Sequence, residues 1–228
     1  MRACALSKFP NLKPLFFLRD ALWISSVNNH RKHQPSPDHL VLASTSIYRR
    51  QLLERLRLPF NVHAPGIDET PLPNEDVVSL VHRLAKQKAQ AAAARYPDSI
   101  IIGSDQAAVR GLQILGKPGT VETAFAQLKA ASGSQVIFHT AVHVIDPHHQ
   151  RHEAYIDATI VRFRVLSDEE ISRYIATENP LDCAGSFKAE ALGISLFERI
   201  DSQDPTALTG LPLIWLSGAL RRAGLSIP

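Results

Sequence analysis

The stretch Ile100-Ile101-Ile102-Gly103-Ser104-Asp105-Gln106 decides how the rest of the chain is interpreted. Three consecutive branched apolar residues are typical of a strand that is buried on both faces, as in the parallel or central part of a sheet. Gly103 ends the apolar run, and a carboxylate and an amide follow. Because ligands of open α/β sheets bind beyond the carboxyl ends of the strands, Asp105 is expected to project into a site. The alternative is an ordinary turn aspartate that caps a loop.

Strand and helix patterns alternate around this stretch and predict an α/β fold. The long β-rich segments 136–145 and 154–166 are separated by a turn, which is typical of an antiparallel hairpin. Further strands are predicted at residues 39–43, 61–64, 100–103 and 193–200. Helices are predicted at 48–57, after the N-cap residues Asn74, Thr120 and Ser167, and near Pro212.

Composition and cysteine content limit the class of protein. Of the 228 residues, 45% are hydrophobic, which is enough for the core of a globular protein. No uninterrupted apolar run approaches the roughly 18 residues that span a bilayer, so no membrane partner is expected. Cys4 and Cys183 lie too far apart in the sequence to indicate a disulfide framework or a metal site. This cysteine usage favours a reducing compartment, and we expect a cytoplasmic protein.

The basic excess of the chain lies at its front end. Residues 1–38 hold six of the 25 Lys and Arg but only two of the 22 Asp and Glu, which leaves a net charge of −1 on residues 39–228. A near-neutral body lacks the positive field of a nucleic-acid-binding module, so no nucleic-acid partner is expected. Residues 1–38 show no clean hydrophobic period, and we expect a disordered, dispensable extension of a domain at 39–228. The extension suits an organellar transit peptide and equally a misplaced start codon.

A hydroxyl cluster at Ser44-Thr45-Ser46 lies between a predicted strand and a predicted helix. Such a cluster is a natural N-cap, and the free N–H groups of a helix N-terminus attract anions. Arg49 and Arg50 in the first turn oppose the helix dipole unless a negative group is bound, which favours a phosphate site. The alternative is a capped surface helix with two solvated arginines.

Three further features place charged residues where they are candidates for the same site. Asp68 and Glu69, in a loop bracketed by prolines, are suited to bind a hard cation but are also common in turns. Lys88 lies on the apolar face of its helix, where a lysine either extends along a core edge to solvent or points inward toward a site. Lys117 follows a glycine in a turn. The histidines at 148, 149 and 152 lack acidic or cysteine partners at metal-ligand spacing, so we interpret them as a solvated turn.

Six motifs that occur in order resemble the Maf family of nucleoside triphosphate pyrophosphatases. They are Leu42-Ala43-Ser44-Thr45-Ser46 with Arg49-Arg50, Asp68-Glu69-Thr70-Pro71, Leu84-Ala85-x-x-Lys88-Ala89, Gly103-Ser104-Asp105-Gln106, Gly116-Lys117-Pro118 and Ala184-Gly185-Ser186-Phe187. The resemblance covers about residues 40–224. The Gly-Ser-Asp-Gln form and the Asp-Cys-Ala-Gly-Ser-Phe-Lys-x-Glu form at 182–190 are similar to the 7-methyl-GTP pyrophosphatase subgroup. Ile47-Tyr48 departs from the Pro-Trp of that subgroup.

The resemblance implies an elongated α/β fold in which helices flank a mixed sheet and two lobes surround a deep cleft, as in inosine triphosphatase-like proteins. It also implies a homodimer, as is frequent in the family, and dependence on Mg²⁺ or Mn²⁺. The implied reaction cleaves a nucleoside triphosphate between its α- and β-phosphates. Its implied role is to limit the incorporation of modified nucleotides into nucleic acids.

The roles implied by the resemblance fall on residues that match the family's motifs. Asp105 is expected to be the general base that activates water, and Glu69 and Asp105 are expected to bind the metal. Phosphate binding is expected from Ser44, Arg49, Lys88 and Lys117. The positions that determine base specificity fall on Tyr48, Gln106 and Glu190.

A 7-methylated guanine carries a positive charge, which an aromatic face and a carboxylate attract. Residues of these types at the specificity positions favour 7-methyl-GTP over dTTP or UTP as the substrate. Tyr48 offers an aromatic face, Glu190 a carboxylate and Gln106 an amide contact. In the alternative interpretation, Glu190 pairs with Lys188 and Tyr48 only covers its helix. A dTTP or UTP pyrophosphatase of the same family is the other enzymatic function, and a non-catalytic nucleotide-binding regulator of cell division is the other class. Because such a regulator is expected to lose the base and the chain keeps Asp105, we favour the enzyme.

Overall fold

A computed structural model of the protein describes residues 39–228, so the extension predicted for residues 1–38 lies outside the described residues. The strands of the described part are β1 (Leu40–Ala43), β2 (Asn61–His63), β3 (Ile100–Arg110), β4 (Gln113–Leu115), β5 (Gln135–Asp146), β6 (Arg151–Phe163) and β7 (Phe197–Asp201). Its α-helices are α1 (Ile47–Glu54), α2 (Val77–Ala93), α3 (Val121–Ala131), α4 (Asp168–Glu178) and α5 (Leu213–Arg222).

The strands form one mixed sheet in the order β2-β1-β3-β5-β6-β7, with β4 also beside β3. Strands β2, β1 and β3 are parallel, and the remaining pairs are antiparallel. The predicted hairpin is confirmed as β5 and β6, and the predicted α/β class with a mixed sheet and flanking helices is confirmed. Within residues 39–228, no helix is long and apolar enough to cross a membrane.

Strand β3 is longer than predicted. The expected end at Gly103 is wrong, because β5 pairs with β3 from Ile101 to Val109 and so continues the strand. On its other edge β3 pairs with β1 through Gly103 and with β4 from Ala108 onward. Within the described part of the chain, residues 104–107 therefore have no strand beside them on that edge. We call this opening the sheet gap.

One face of the sheet carries two separate apolar clusters. The first joins β1, α1 and α5 to one end of β3 and β5, and the second joins α3 and α4 to the opposite end. Between them lies a row of polar side chains that we call the polar row: Ser104, Gln106, Thr140, Asp157 and Thr159. The two predicted lobes are therefore confirmed, since each apolar cluster is the core of one lobe. Helix α2 packs on the opposite face through Val81, Ala85 and Ala89.

Two predicted element boundaries are wrong. The N-cap of α2 is Asp76 and not Asn74, because the Asp76 carboxylate accepts from the backbone N–H groups of Val78 at 2.9 Å and Ser79 at 3.0 Å. Residues 192–196 form a 3₁₀ helix, and only the end of the predicted strand is extended as β7. The N-caps Thr120 and Ser167 are confirmed, the latter with a complete capping box.

His143 on β5 is a buried base without hydrogen-bond partners. Its side chain is 5% exposed, and within the described residues neither ring nitrogen has a partner. Burial, together with nearby His152, His82 and Lys86, lowers the pKa of His143 to about 4. Protonation therefore favours the unfolded chain, whose histidines have a pKa of about 6.5.

We predict that His143→Leu flattens the pH dependence of stability. In the wild type, the unfolded state binds the proton first, so stability falls as the pH drops from about 6.5 toward the folded pKa of about 4. At pH 5 the variant should recover about 2 kcal/mol of this loss, measured by urea unfolding at pH 5 and pH 8. His148→Ala, in an exposed turn, is the control and should retain the wild-type pH dependence. An equal slope in His143→Leu and the wild type would contradict the assignment.

Candidate active site

A cleft of about 680 Å³ opens at the sheet gap. It brings together elements of both lobes, the loop before α2, and helix α2 itself. All nine residues predicted to form the site line this one cleft: Ser44, Tyr48, Arg49, Glu69, Lys88, Asp105, Gln106, Lys117 and Glu190. The structure thus brings the residues of the predicted site together in one cleft.

The loop between β1 and α1 places a hydroxyl and a guanidinium at the cleft. Ser46 caps α1, since its Oγ accepts from the backbone N–H of Arg49 at 3.4 Å. The buried Ser44 Oγ accepts from the backbone N–H of Ser46 at 3.1 Å and from a terminal nitrogen of Arg49 at 3.4 Å. Ser44 therefore stabilises the turn, and its hydroxyl lies at the positive end of the helix.

The two arginines of α1 have different surroundings. Arg50 pairs with Glu54 on the surface at 3.0 Å, so it is a solvated arginine as in the alternative interpretation. Arg49 lines the cleft, where its Nε donates to the carbonyl oxygen of Gly210 at 3.0 Å. Burial lowers the pKa of Arg49, whereas Asp105 and Glu69 raise it. Because an arginine in a protein stays protonated, the cleft contains a fixed positive charge.

A lysine between two carboxylates forms the centre of the cleft. The Nζ of Lys88 lies 2.6 Å from Oδ1 of Asp105 and 2.8 Å from Oε1 of Glu69. Lys88 and Asp105 are buried, whereas the Glu69 side chain is 58% exposed. Lys88 therefore points inward to the site rather than outward along a core edge.

Gly103 permits this ion pair because α2 lies directly on its Cα. A Cβ at this position would be 2.3 Å from the carbonyl oxygen of Ala85 and 2.6 Å from the backbone nitrogen of Ala89. Any other residue would force the helix away from β3. Lys88 lies in the same turn of α2 as these two alanines. The short distance from its ammonium to Asp105 therefore depends on the absence of a side chain at Gly103.

The far end of the cleft is lined by Tyr48, Cys183 and Glu190. Burial raises the pKa of Tyr48, and its hydroxyl lies 3.9 Å from Sγ of Cys183. Burial also raises the pKa of Cys183 to about 11, so this free thiol is protonated at neutral pH. Glu190 is exposed.

The alternative pairing of Glu190 with Lys188 is wrong. Lys188 donates to the carbonyl oxygen of Glu178 at 2.9 Å and lies 3.7 Å from its carboxylate. Glu178 also accepts from the backbone N–H of Leu192 at 3.1 Å. Glu190 therefore lines the cleft with a carboxylate that is not held by Lys188.

Gln106 has a structural role that the sequence did not suggest. Its amide nitrogen donates to Thr140 Oγ1 at 2.8 Å and to the carbonyl oxygens of Ala207 and Leu208, both at 3.0 Å. The amide nitrogen is thus committed to the protein, so the expected amide contact with a base falls to the amide oxygen. The segment 207–210 is the part of the cleft that sequence reasoning missed, because it contributes backbone carbonyls and carries no charged residue.

The donor set suits a divalent cation that is completed by a ligand. Mg²⁺ in proteins is typically bound by one or two carboxylates together with substrate phosphates, and Glu69 and Asp105 supply two carboxylates. Among residues 39–228 there is no cluster of three or more His, Cys, Asp or Glu that could hold a metal alone. In the histidine-rich turn, Nδ1 of His149 lies 2.7 Å from Oδ2 of Asp146, an acidic partner that the sequence did not suggest.

The fold and cleft define an α/β protein whose cleft places the cations Arg49, Lys88 and Lys117 beside a pair of carboxylates. The family model described as Maf-like protein matches residues 39–223, and the chain therefore belongs to the Maf family. The family predicted from the six motifs is confirmed.

Two relatives that are similar to this chain carry the same name. A relative from Aromatoleum aromaticum, named 7-methyl-GTP pyrophosphatase, is 55% identical over 83% of this chain and 97% of its own length. A relative of the same name from Xanthomonas axonopodis pv. citri is 54% identical over 83% of this chain and 98% of its own length. A solved structure titled "The structure of the Staphylococcus aureus Ham1 protein" matches with a TM-score of 0.45 and 14% identity, over 79% of this chain and 99% of that chain.

We predict that Gly103→Ala destabilises the protein by about 1–3 kcal/mol, the typical cost of overpacking a closed contact. The shift of α2 should also separate Lys88 from Asp105. Unfolding in urea measures the first effect. Gly116→Ala, where an added Cβ meets no atom within 4 Å, is the matched control and should lie within about 0.5 kcal/mol of the wild type. A neutral Gly103→Ala would show that α2 has room to adjust.

Proposed function

We propose that this protein is a nucleoside triphosphate pyrophosphatase that hydrolyses 7-methyl-GTP to 7-methyl-GMP and diphosphate. The observation that carries the proposal is the buried ion pair of Asp105 and Lys88 in one cleft with the cations Arg49 and Lys117. Membership of the Maf family and the name of its relatives support the same activity. The proposed role is to keep modified nucleotides out of nucleic acids.

The phosphate end of the cleft is formed by cations from different parts of the chain. A triphosphate carries three to four negative charges, and one element of a fold rarely offers enough positive charge for it. Arg49 supplies a guanidinium from α1, Lys117 an exposed ammonium from the loop after β4, and Ser44 a hydroxyl at the N-terminus of α1. These groups favour the polyanion through charge-assisted hydrogen bonds and the helix dipole.

Lys88 is proposed to serve both the phosphates and the carboxylates. Its ammonium lies between Asp105 and Glu69, so it compensates part of their repulsion and holds them in place. Glu69 and Asp105 would hold Mg²⁺ or Mn²⁺ together with the substrate. When bound, the cation would neutralise the negative charge that develops on the phosphates.

The proposed chemical step is attack of water on the anhydride between the α- and β-phosphates. Oδ1 of Asp105 accepts from Lys88, so Oδ2 is the atom that takes the proton of the attacking water. The new bond joins the water oxygen to the α-phosphorus. The bond from the α-phosphorus to the oxygen that bridges to the β-phosphate breaks, and diphosphate leaves with that oxygen. Lys88 orients the base, and Arg49 and Lys117 attract the charged leaving group.

We predict that Asp105→Asn lowers kcat by at least about 100-fold, since a general base contributes about 10²–10⁴-fold. The amide keeps the shape of the side chain but cannot accept the proton. Diphosphate release from 7-methyl-GTP with Mg²⁺ measures the effect. Asp98→Asn makes the same change at an exposed residue and should stay within twofold of the wild type. If Asp105→Asn retains more than a tenth of the turnover, Asp105 is not the base.

The base end of the cleft is proposed to read the positive charge of the methylated guanine. Tyr48 presents an aromatic face, and a cation over such a face gains about 0.5–2 kcal/mol. Glu190 can accept from the N1–H and amino group of guanine, and its carboxylate is not taken up by Lys188. Gln106 lines the same region, with its amide nitrogen bound to the protein.

We predict that the wild type has a higher kcat/KM for 7-methyl-GTP than for GTP, dTTP or UTP, and that Glu190→Gln reduces this preference about tenfold. The neutral amide keeps the length of the side chain but loses the attraction to the cationic base. Glu198→Gln, on the exposed surface of β7, is the control and should leave the preference unchanged. A wild type that prefers dTTP or UTP would exclude the subgroup. No turnover of any nucleotide, with binding retained, would favour the non-catalytic regulator.

The proposal includes a compartment and an assembly. We place the protein in the cytoplasm, which suits the free, protonated thiol of Cys183. The homodimer implied by the family resemblance belongs to the same proposal, and light scattering after size exclusion would determine it.

A further inference from the structure

The segment 207–210 lies across the polar row and is held by its carbonyl oxygens. Ser104 Oγ lies 2.9 Å from the carbonyl oxygen of Gly210 and 2.8 Å from that of Ala141 on β5, so its one proton is shared between these two acceptors. Thr140 Oγ1 lies 2.9 Å from the carbonyl oxygen of Ala207. Gln106 donates to the carbonyls of Ala207 and Leu208. Three side chains of the polar row therefore bind this segment through its carbonyl oxygens, from the face of the sheet, and the segment adds no strand to the sheet.

Residues on both sides of the segment restrict it further. The Asp204 carboxylate accepts from the backbone N–H and the hydroxyl of Thr206, at 3.0 and 2.6 Å, and from the backbone N–H of Ile214 at 2.6 Å. The Thr206 hydroxyl also lies 2.9 Å from the carbonyl oxygen of Leu211 and accepts from the backbone N–H of Leu213 at 2.8 Å. The carbonyl of Gly210 consequently has a defined position at the edge of the cleft.

That carbonyl is also the acceptor for Arg49. The Nε of Arg49 lies 3.0 Å from the Gly210 oxygen, so Ser104 and Arg49 meet on one atom. Gly210 has φ +109°, and a Cβ there would be 3.2 Å from Nε of Arg49. Only glycine permits both the backbone conformation and the close approach of the guanidinium.

We infer that Ser104, acting through the carbonyl of Gly210, is a positioning residue for the phosphate-binding guanidinium of Arg49. Ser104 is 0% exposed and cannot itself touch a ligand. A long arginine side chain loses rotamer freedom when it binds an anion, so a fixed acceptor for Nε lowers the cost of binding. The inference deepens the proposed function, on which it rests for the role of Arg49 as a phosphate ligand.

The residues of the Gly103–Gln106 motif alternate between the two faces of the sheet. Gly103 and Asp105 face α2 and the Lys88 ammonium, whereas Ser104 and Gln106 face the segment 207–210. Through this alternation, one strand positions the proposed general base, Asp105, on one face and the proposed phosphate-binding Arg49 on the other.

We predict that Ser104→Ala weakens the binding of inorganic tripolyphosphate about tenfold, because the hydrogen bond it removes helps to hold the acceptor of Arg49. Calorimetric titration without added metal measures the dissociation constant and needs no turnover. In an Arg49→Ala background, Ser104→Ala should change that constant by less than twofold, since the guanidinium it positions is gone. Gly210→Ala, whose Cβ meets Arg49, should show the same loss and the same dependence on Arg49.

The control separates positioning from general stability. Ser132→Ala removes a hydroxyl that binds the backbone N–H of Leu166 at 2.8 Å, far from the cleft, and should lower Tm without changing the dissociation constant. An equal loss from Ser104→Ala in both backgrounds, or no loss in either, overturns the inference, as does a wild type that does not bind tripolyphosphate. A wild type that binds tripolyphosphate with the predicted dependence but does not hydrolyse 7-methyl-GTP refutes the proposed function and leaves the inference standing.

Discussion

The contact of Lys88 with Asp105 and Glu69 joins three parts of the chain that are distant in sequence: helix α2, strand β3 and the loop before α2. An ammonium buried among apolar residues is stable only with compensating charge, and a buried carboxylate has the same requirement. The two side chains therefore depend on each other, and both depend on the short distance between α2 and β3 at Gly103. The packing of α2 on β3 at Gly103 therefore sets the distance between the Lys88 ammonium and the Asp105 carboxylate.

The cleft itself results from unequal strand lengths. Strand β1 ends at Ala43, and β4 begins to pair only at Ala108, so β3 crosses the interval supported by β5 alone. A ligand can thus reach residues on both faces of one strand through the open edge. The polar row and the segment 207–210 close this region from the side of the two lobes.

The members of the site could be predicted because their chemistry conflicts with their surroundings. Lys88 interrupts an apolar helix face, and Asp105 follows a buried strand. The extent of β3 could not be predicted, because it depends on the non-local pairing with β5. Neither could the choice of Asp76 over Asn74, as both residue types are good N-caps and the backbone decides between them. The segment 207–210 acts through carbonyl groups that every residue has, so no side-chain pattern marks it.

The division into two apolar clusters has a consequence for biosynthesis. The first cluster unites Leu40 with Leu225 and Ile227, so it cannot close until residues up to 227 have left the ribosome. The second cluster uses only residues from Ala108 to Leu208 and becomes complete earlier. Because contacts distant in sequence form late, the lobe with α3 and α4 is expected to fold first and to serve as the template on which the newest and oldest segments meet. The segment 207–210 lies at the junction between these two stages.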